Sequence, residues 1–351
     1  MREISHSDIA KLDSLFSGVS KACVVTHAHP DGDALGSALG IARYLHICRG
    51  MECRLIVNDG WSHFLSFLFS EEELQSTVVR ERDGIEAVAG ALGETDLIIC
   101  TDFNTPDRAG EEIGTLIKTA GVPKVVIDHH LYPDNACFDL VFSETEISSA
   151  SELAFCVLKM LPDISDDAAK LPIEALTAFA TGITTDTNNF ANSVFPETLN
   201  NYSELLAAGI DRQMILDALY NQCNENRIRA FGDLLSKQMR ITAEGLAYIV
   251  LDEESYKAYG LVSGDTEGLV NIPLTIKEVR MSIFLRQEGG VWRVSIRSKR
   301  GTSASMMAKE HFNGGGHELA AGGRIEVSDG TRTAGDMEKY IIRCAQDFFG
   351  H

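Results

Sequence analysis

One segment limits the folds open to this chain more than any other. The apolar run Ala22-Cys23-Val24-Val25 leads directly into Thr26-His27-Ala28-His29-Pro30-Asp31-Gly32-Asp33. A short, continuous apolar run closed by proline and glycine reads as a strand buried on both faces. Strands of that kind belong to parallel sheets covered by helices. The fold must then deliver two carboxylates, one residue apart, to the end of a buried strand. Like charges held so close are costly unless a cation or a proton neutralises them. At a strand-to-helix turn a metal ion is the natural countercharge.

The pattern around this segment repeats. Ala22–Thr26 reads as a strand and Ala34–Arg49 as the helix that follows. Glu52–Val57, Asp96–Thr101 and Lys124–Ile127 read as further buried strands, with a helix at Glu111–Ala120 and others at Ser151–Leu161 and Ile173–Thr181. Strands alternating with helices predict an α/β fold, a parallel sheet with helices on both faces, over residues 1–195. Residues 196–240 read as a helical connector. Residues 241–351 read as a smaller α/β domain with a mixed sheet, in which Gln287-Glu288-Gly289-Gly290 forms a hairpin turn between Val279–Arg286 and Val291–Ser298. A helix at Ala304–His311, a strand at Gly323–Val327 and a last helix at Ala334–Phe348 complete it.

Composition narrows the function. The net charge of −20 argues against a sequence-independent grip on long nucleic acid. It leaves room for a short anionic substrate held at a local cationic site. No apolar run approaches the roughly 20 residues that span a bilayer, and the polar start Met1-Arg2-Glu3-Ile4 lacks a signal-peptide core. These features predict a cytoplasmic protein with no membrane partner. The eight cysteines form no CxxC pair, which argues against a zinc knuckle or a dithiol redox site.

The residues that carry chemistry follow strands or an apolar helix. His27, Asp31 and Asp33 follow the first strand, Asp102 follows Leu97–Thr101, Asp128-His129-His130 follow Val125–Ile127, and Asp186 follows the helix ending near Ile183. In open parallel sheets the carboxyl ends of the strands form the ligand-binding crevice, so four distant segments should converge there. Mixed imidazole and carboxylate ligands suit manganese, iron or cobalt better than calcium or a thiolate zinc site. Two divalent ions would offset four aspartates. A carboxylate shared by both would hold them about 3.5–4 Å apart, and a hydroxide between them can attack phosphorus in line. A strand-end aspartate taken singly is more often a helix cap, and a single histidine more often structural. His6, His46, His63, His311 and His351 are read that way, and His29 as an exposed loop residue.

Thr-His-Ala-His-Pro-Asp-Gly-Asp, Thr-Asp, Val-Val-Ile-Asp-His-His and Gly-Ile-Thr-Thr-Asp-Thr together resemble motifs I to IV of the DHH phosphoesterases. Val-Ser-Ile-Arg-Ser and Gly-Gly-Gly-His-Glu-Leu-Ala-Ala-Gly-Gly resemble the associated DHHA1 domain. The resemblance runs in order through nearly the whole chain. Length and N-terminus are most similar to the bacterial nanoRNase and pAp phosphatase (NrnA-like) subgroup. It implies a DHH metal-binding catalytic domain at 1–195 and a DHHA1 substrate-binding domain at 241–351, clamping substrate across a cleft.

The site roles come from this resemblance. His27, Asp31 and Asp102 match ligands of one metal. Asp33, Asp102, His129 and Asp186 match those of the other, with Asp102 shared and Mn2+ the expected ion at both. Asp128 matches a residue that orients a histidine, and His130 the histidine facing the scissile phosphate. Arg297, Ser298, His317 and the backbone amides of Gly314, Gly315 and Gly316 match the substrate-binding side. Glycine lets backbone N–H groups approach an anion, and arginine grips phosphate bidentately. Arg108, six residues past Asp102, reads equally as a phosphate contact or a surface residue. Many relatives carry glycine where this chain has Asn188; asparagine tolerates left-handed backbone, so the turn should survive.

The implied activity is a two-metal hydrolysis of short single-stranded RNA to mononucleotides and of 3′-phosphoadenosine 5′-phosphate (pAp) to AMP, by a monomer or a homodimer. Rival readings are a pApA or cyclic-di-AMP phosphodiesterase, a polyphosphatase or pyrophosphatase, and a non-catalytic nucleotide-binding regulator.

Overall fold

The computed structural model describes residues 4–58, 60–262, 264–316, 318–328 and 330–350. The chain divides into two units, Met1–Gln222 and Cys223–His351. In the first, α1 (His6–Ser17) precedes β1 (Lys21–Val25), α2 (Gly32–Arg49), β2 (Glu52–Val57), α3 (Glu71–Ser76), β3 (Val78–Arg80) and α4 (Ile85–Gly93). Then come β4 (Leu97–Thr101), α5 (Glu111–Thr119), β5 (Lys124–Asp128), β6 (Leu140–Ser143), α6 (Ala150–Lys159) and α7 (Ile173–Asp186). All strand pairs are parallel, in the order β3-β2-β1-β4-β5-β6. Strand order reverses between β1 and β4, the place where ligands bind in open α/β sheets. The strands are buried on both faces because their side chains alternate between two cores. Ala22 and Val24 join α1, α2, α6 and α7 on one face, while Cys23 and Val25 join α4 and α5 on the other.

In this unit two short strands escape the sequence reading, β3 and β6. Three or four residues are too few to show a period, and the half-buried Val78-Val79-Arg80 lies at the sheet edge. Helix α7 also runs further than expected, so Asp186 is its last residue rather than a residue beyond it.

The segment 196–240, read as one connector, is divided between the units. α8 (Pro196–Ala207) and α9 (Arg212–Tyr220) bury Tyr202, Leu205, Ile215 and Leu219 in the first core. α10 (Glu225–Asp233) buries Ala230 in the second unit. Each helix has an apolar face, and burial of that face decides which core it joins.

The second unit builds a mixed sheet from β7 (Arg240–Ile241), β8 (Leu246–Leu251), β9 (Met281–Glu288), β10 (Val291–Ser298), β11 (Gly315–Gly316) and β12 (Ala320–Glu326), in the order β11-β12-β10-β9-β8-β7. The β8–β9 pair is parallel and the others antiparallel. Gly289 and Gly290, both at positive φ, make the expected tight turn between β9 and β10. Trp292, Val294 and Ile296 of β10 pack with Met307 and Phe312, from and just after α12 (Ala304–His311), and Ile341 of α13 (Ala334–Phe349). Among the described residues no helix is long and apolar enough to cross a membrane.

Candidate metal centre

β1, β4 and β5 end at one edge of the first sheet, and each hands its next residues to the same place. His27 lies two residues past β1, Asp102 follows β4, and Asp128 closes β5. α2 begins where β1 ends, and Asp31 caps it: Oδ1 accepts from the Asp33 and Ala34 amides at 3.0 and 3.1 Å. The cap reading of this aspartate is therefore correct, yet the same oxygen lies 3.9 Å from His27 Nε2.

Asp33 holds a second helix. Its Oδ2 accepts from the Ala150 amide at 2.7 Å and its Oδ1 from the Ser151 amide at 2.8 Å, at the N-terminus of α6. The sequence signal for this partner was the Ser149-x-x-Glu152 spacing of a helix start. Gly182 makes room for the arrangement. A Cβ there would lie 2.8 Å from Asp33 Oδ1 and collide with Ser151 Oγ. Gly36 likewise lets α2 meet α7, since its Cβ would lie 2.5 Å from the Ala178 carbonyl oxygen.

At the centre stands Asp102, buried and at φ +63. Its Oδ2 lies 3.4 Å from His27 Nε2 and its Oδ1 lies 3.3 Å from His129 Nε2. His129 Nε2 is also 3.8 Å from Asp33 Oδ2 and 3.9 Å from Asp186 Oδ2. Three groups thus form at or beside Asp102 among the described residues, His27–Asp31–Asp102, Asp33–His129–Asp186 and Asp102–His129–His130, each with ligand atoms within 4.8 Å of one another. Asp128 is fully buried and fixes His130. The His130 ring donates from Nδ1 to Asp128 Oδ1 at 2.7 Å, and its amide donates to Oδ2 at 3.1 Å.

The electrostatics call for added positive charge. Among the described residues no lysine or arginine pairs with Asp31, Asp33, Asp102 or Asp186; histidines are their only ionic partners. Burial, with the charges of Asp102 and Asp186, pushes the Asp33 carboxyl well above the usual range. Burial raises Asp186 too, and Asp102 and Asp31 add to it. Burial opposes charge on His27, yet Asp102 and Asp31 overcome it and raise that imidazole to about 9. His129 is raised in the same way, chiefly by Asp102. Burial works against ionised Asp102, but His129 and His27 hold it below the usual carboxylate range. Asp186 also ends α7, where the helix dipole disfavours an anion.

The residues fit divalent cations on one further observation. Asp102 Oδ1 is buried and accepts no hydrogen bond. A buried polar atom without a partner costs about 1–3 kcal/mol, and coordination would satisfy it. The donor set of imidazoles and carboxylates, with no cysteine, suits a first-row divalent ion such as manganese.

The expected substrate side is placed as follows. Arg108 lies in a turn whose carbonyl accepts from the Ala28 amide at 2.7 Å, which ties it to the His27 loop. Arg297 is half-buried on β10 and donates only to the Ile296 carbonyl, with no carboxylate partner among the described residues. Burial without a countercharge lowers its pKa. Ser298 is buried and donates to the Thr302 carbonyl at 2.6 Å, a fold-holding bond. The Gly314 amide is also in use, donating to the Ala308 carbonyl at 3.1 Å. A Cβ at Gly314 would collide with the Gly322 carbonyl oxygen, whereas Gly315 has open space around it. His317 lies outside the described residues. Asn188 takes a left-handed conformation at φ +48, as the sequence reading required of that turn.

Known proteins share this two-part organisation. Residues 21–183 match the DHH family, N-terminal domain, and residues 246–342 match the DHHA1 domain. The bifunctional oligoribonuclease and PAP phosphatase NrnA of Thermus thermophilus is 30% identical over 87% of this chain and 84% of its own length. The cyclic-di-AMP phosphodiesterase GdpP of Geobacillus thermodenitrificans is 27% identical over 99% of this chain, which spans 50% of that longer protein. The crystal structure of an exopolyphosphatase-related protein from Bacteroides fragilis superposes with a TM-score of 0.90 at 31% identity, covering 100% of this chain and 98% of that one.

Proposed function

The chain belongs to the DHH family of phosphoesterases, and from that premise we propose that it hydrolyses short oligoribonucleotides to mononucleotides and pAp to AMP with the aid of two Mn2+ ions. The observation that carries the reading is Asp102, whose two oxygens face different histidines while Oδ1 is left without a hydrogen bond. One ion would be held by His27, Asp31 and Asp102, the other by Asp33, Asp102, His129 and Asp186. When bound, such ions neutralise phosphate charge and make water a nucleophile near neutral pH.

The chain's own groups do the rest. Asp128 fixes the His130 ring through Nδ1, so the ring acts on a phosphate through Nε2. Arg297, desolvated and with no carboxylate partner among the described residues, is suited to an anionic group of the substrate. Gly315 offers backbone that a phosphate can approach. A small substrate is consistent with the net charge of −20, because it needs only these local cations. The reading implies a cytoplasmic enzyme.

A second reading has a specific observation behind it, the match to the cyclic-di-AMP phosphodiesterase along 99% of this chain. Rates with Mn2+ on an RNA dinucleotide, pAp, pApA, cyclic di-AMP and polyphosphate separate the two. The expected order puts the RNA dinucleotide first in kcat/KM, with pAp turned over as well. Failure on RNA dinucleotides beside strong pApA turnover would replace the first reading by the second. Turnover confined to polyphosphate would remove both.

A further inference from the structure

The most exposed large apolar side chain among the described residues stands beside the reaction centre. Tyr132 is 85% exposed and its neighbour Leu131 is 60% exposed. They follow directly on Asp128-His129-His130, and two residues of chain place the Tyr132 Cα within about 7 Å of the His130 Cα.

The backbone there is strained. Tyr132 sits at φ +62, a conformation that bulky side chains rarely adopt and that glycine adopts freely. The strain is held in place rather than relaxed. Asn104 Nδ2 donates to the Leu131 carbonyl at 2.6 Å, and the Asp134 amide donates to the Asn104 carbonyl at 2.8 Å. Asn104 itself lies two residues past Asp102. The same loop system that carries the shared carboxylate therefore pins both ends of the Leu131–Tyr132 turn.

An aromatic ring in water, on a turn that would be more stable with glycine, gains nothing for the fold. Strain of this kind persists where surrounding structure imposes it, and it clusters at ligand contacts. A nucleotide with its phosphate at the metal ligands must place its sugar and base within one nucleotide's length of them. An aromatic face at that distance offers stacking, which every nucleobase accepts.

We propose that Leu131 and Tyr132 form the platform on which a nucleobase of the substrate stacks, so that Tyr132 is a binding and specificity residue of this site. The inference rests on the nucleotide substrate class argued above. It explains how a chain with few local cations selects nucleotides over other phosphate esters: it reads the base as well as the phosphate.

The test is steady-state kinetics of the full chain with Mn2+ on an RNA dinucleotide and on two analogues, each lacking one base. Tyr132→Ala should raise KM for the dinucleotide by about 5- to 140-fold with little change in kcat, the range expected for losing one base–aromatic stack. Tyr132→Phe and Tyr132→Trp should retain most of the affinity. For one of the two analogues, wild type and Tyr132→Ala should have equal KM, which identifies the stacked base.

Tyr132→Gly should separate this role from a structural one. It relieves the positive φ, so its melting temperature should rise above that of wild type while its KM rises as in the alanine variant. A structural residue would lose stability instead. Unchanged KM in Tyr132→Ala, or a KM penalty that persists on both analogues, would overturn the platform while leaving the dinucleotide activity of wild type intact. Absence of wild-type turnover on every nucleotide would instead remove the substrate reading, and the platform with it.

Discussion

Asp102 in the first unit and Ser298 in the second are both buried polar side chains at the carboxyl end of a strand. Asp102 Oδ1 accepts no hydrogen bond, while the Ser298 hydroxyl donates to the Thr302 carbonyl at 2.6 Å. The contrast extends to their neighbours. In the first unit His27, His129 and Asp186 face one another at 3.3–3.9 Å through Asp102 and Asp33, too far for good hydrogen bonds. In the second, the Gly314 amide and the Ser298 hydroxyl are already partnered by their own fold. A buried carboxylate oxygen that the fold leaves unsatisfied beside an imidazole is open to a cation, whereas a hydroxyl that the fold already satisfies is not. The first unit thus gathers carboxylates and imidazoles that could hold a cation. In the second, Arg297 is half-buried with no carboxylate partner among the described residues.

Asp102→Ala attacks that contrast at its strongest point. The substitution removes the carboxylate facing both His27 and His129, so metal uptake at both positions should fall and turnover with Mn2+ should drop by several orders of magnitude. Metal content of the purified variant and kcat on an RNA dinucleotide check the two parts. Wild-type turnover in this variant would break the two-metal picture.

A paired substitution in the second unit sharpens the other side. Gly314→Ala pushes a Cβ into the Gly322 carbonyl and should force β11 from β12. Overpacking of this sort costs about 1–3 kcal/mol, read as a lower midpoint in denaturant. Gly315→Ala meets open space and should leave stability unchanged. Any rise in KM for Gly315→Ala then reports a substrate that approaches the backbone at that position. Equal stability of the two variants would mean that the close packing of Gly314 is not what the glycine serves.

The contrast also explains how much was legible in the sequence. His27, Asp31, Asp33, Asp102, His129 and Asp186 could be brought to one edge on paper because each closes or follows an apolar segment with an unmistakable period. Each residue type has a common structural use in such a place, a helix cap or a structural histidine, and it is their number together that points to a metal. The glycine triplet was harder, because glycine serves strand packing and anion contact alike. Only the position of Gly322 shows that Gly314 does the first. The division of 196–240 was hidden for a similar reason: Tyr202, Leu205 and Ala230 mark apolar faces, but an apolar face does not say which core will cover it. The positive φ of Tyr132 had no signal at all, since tyrosine is a residue that sequence reasoning would never assign there.

The smallest expected effect lies in the pH dependence of stability, and its sign separates the metal-free from the loaded first unit. In the metal-free chain His27 is raised from 6.5 to about 9 by Asp102 and Asp31. A raised histidine stabilises the fold fully below its unfolded value and loses that contribution as pH climbs to the folded one. Asp186, raised from its ordinary 3.8 to about 6, acts in the same direction at lower pH, and Asp33 is raised as well, so the window from 6.5 to 9 belongs to the histidine. The metal-free melting temperature should therefore fall between about pH 6.5 and 9. Metal ligation requires the same imidazoles without their protons, so apparent affinity for Mn2+ should rise across that window. Bound metal stabilises only the folded chain, so the gap between loaded and metal-free melting temperatures should widen with pH. In Asp102→Ala, with the partner of both histidines gone, the widening should disappear. A gap that stays constant with pH in the wild-type chain would mean that the protons on His27 and His129 do not compete with the metal, and that the ions sit elsewhere.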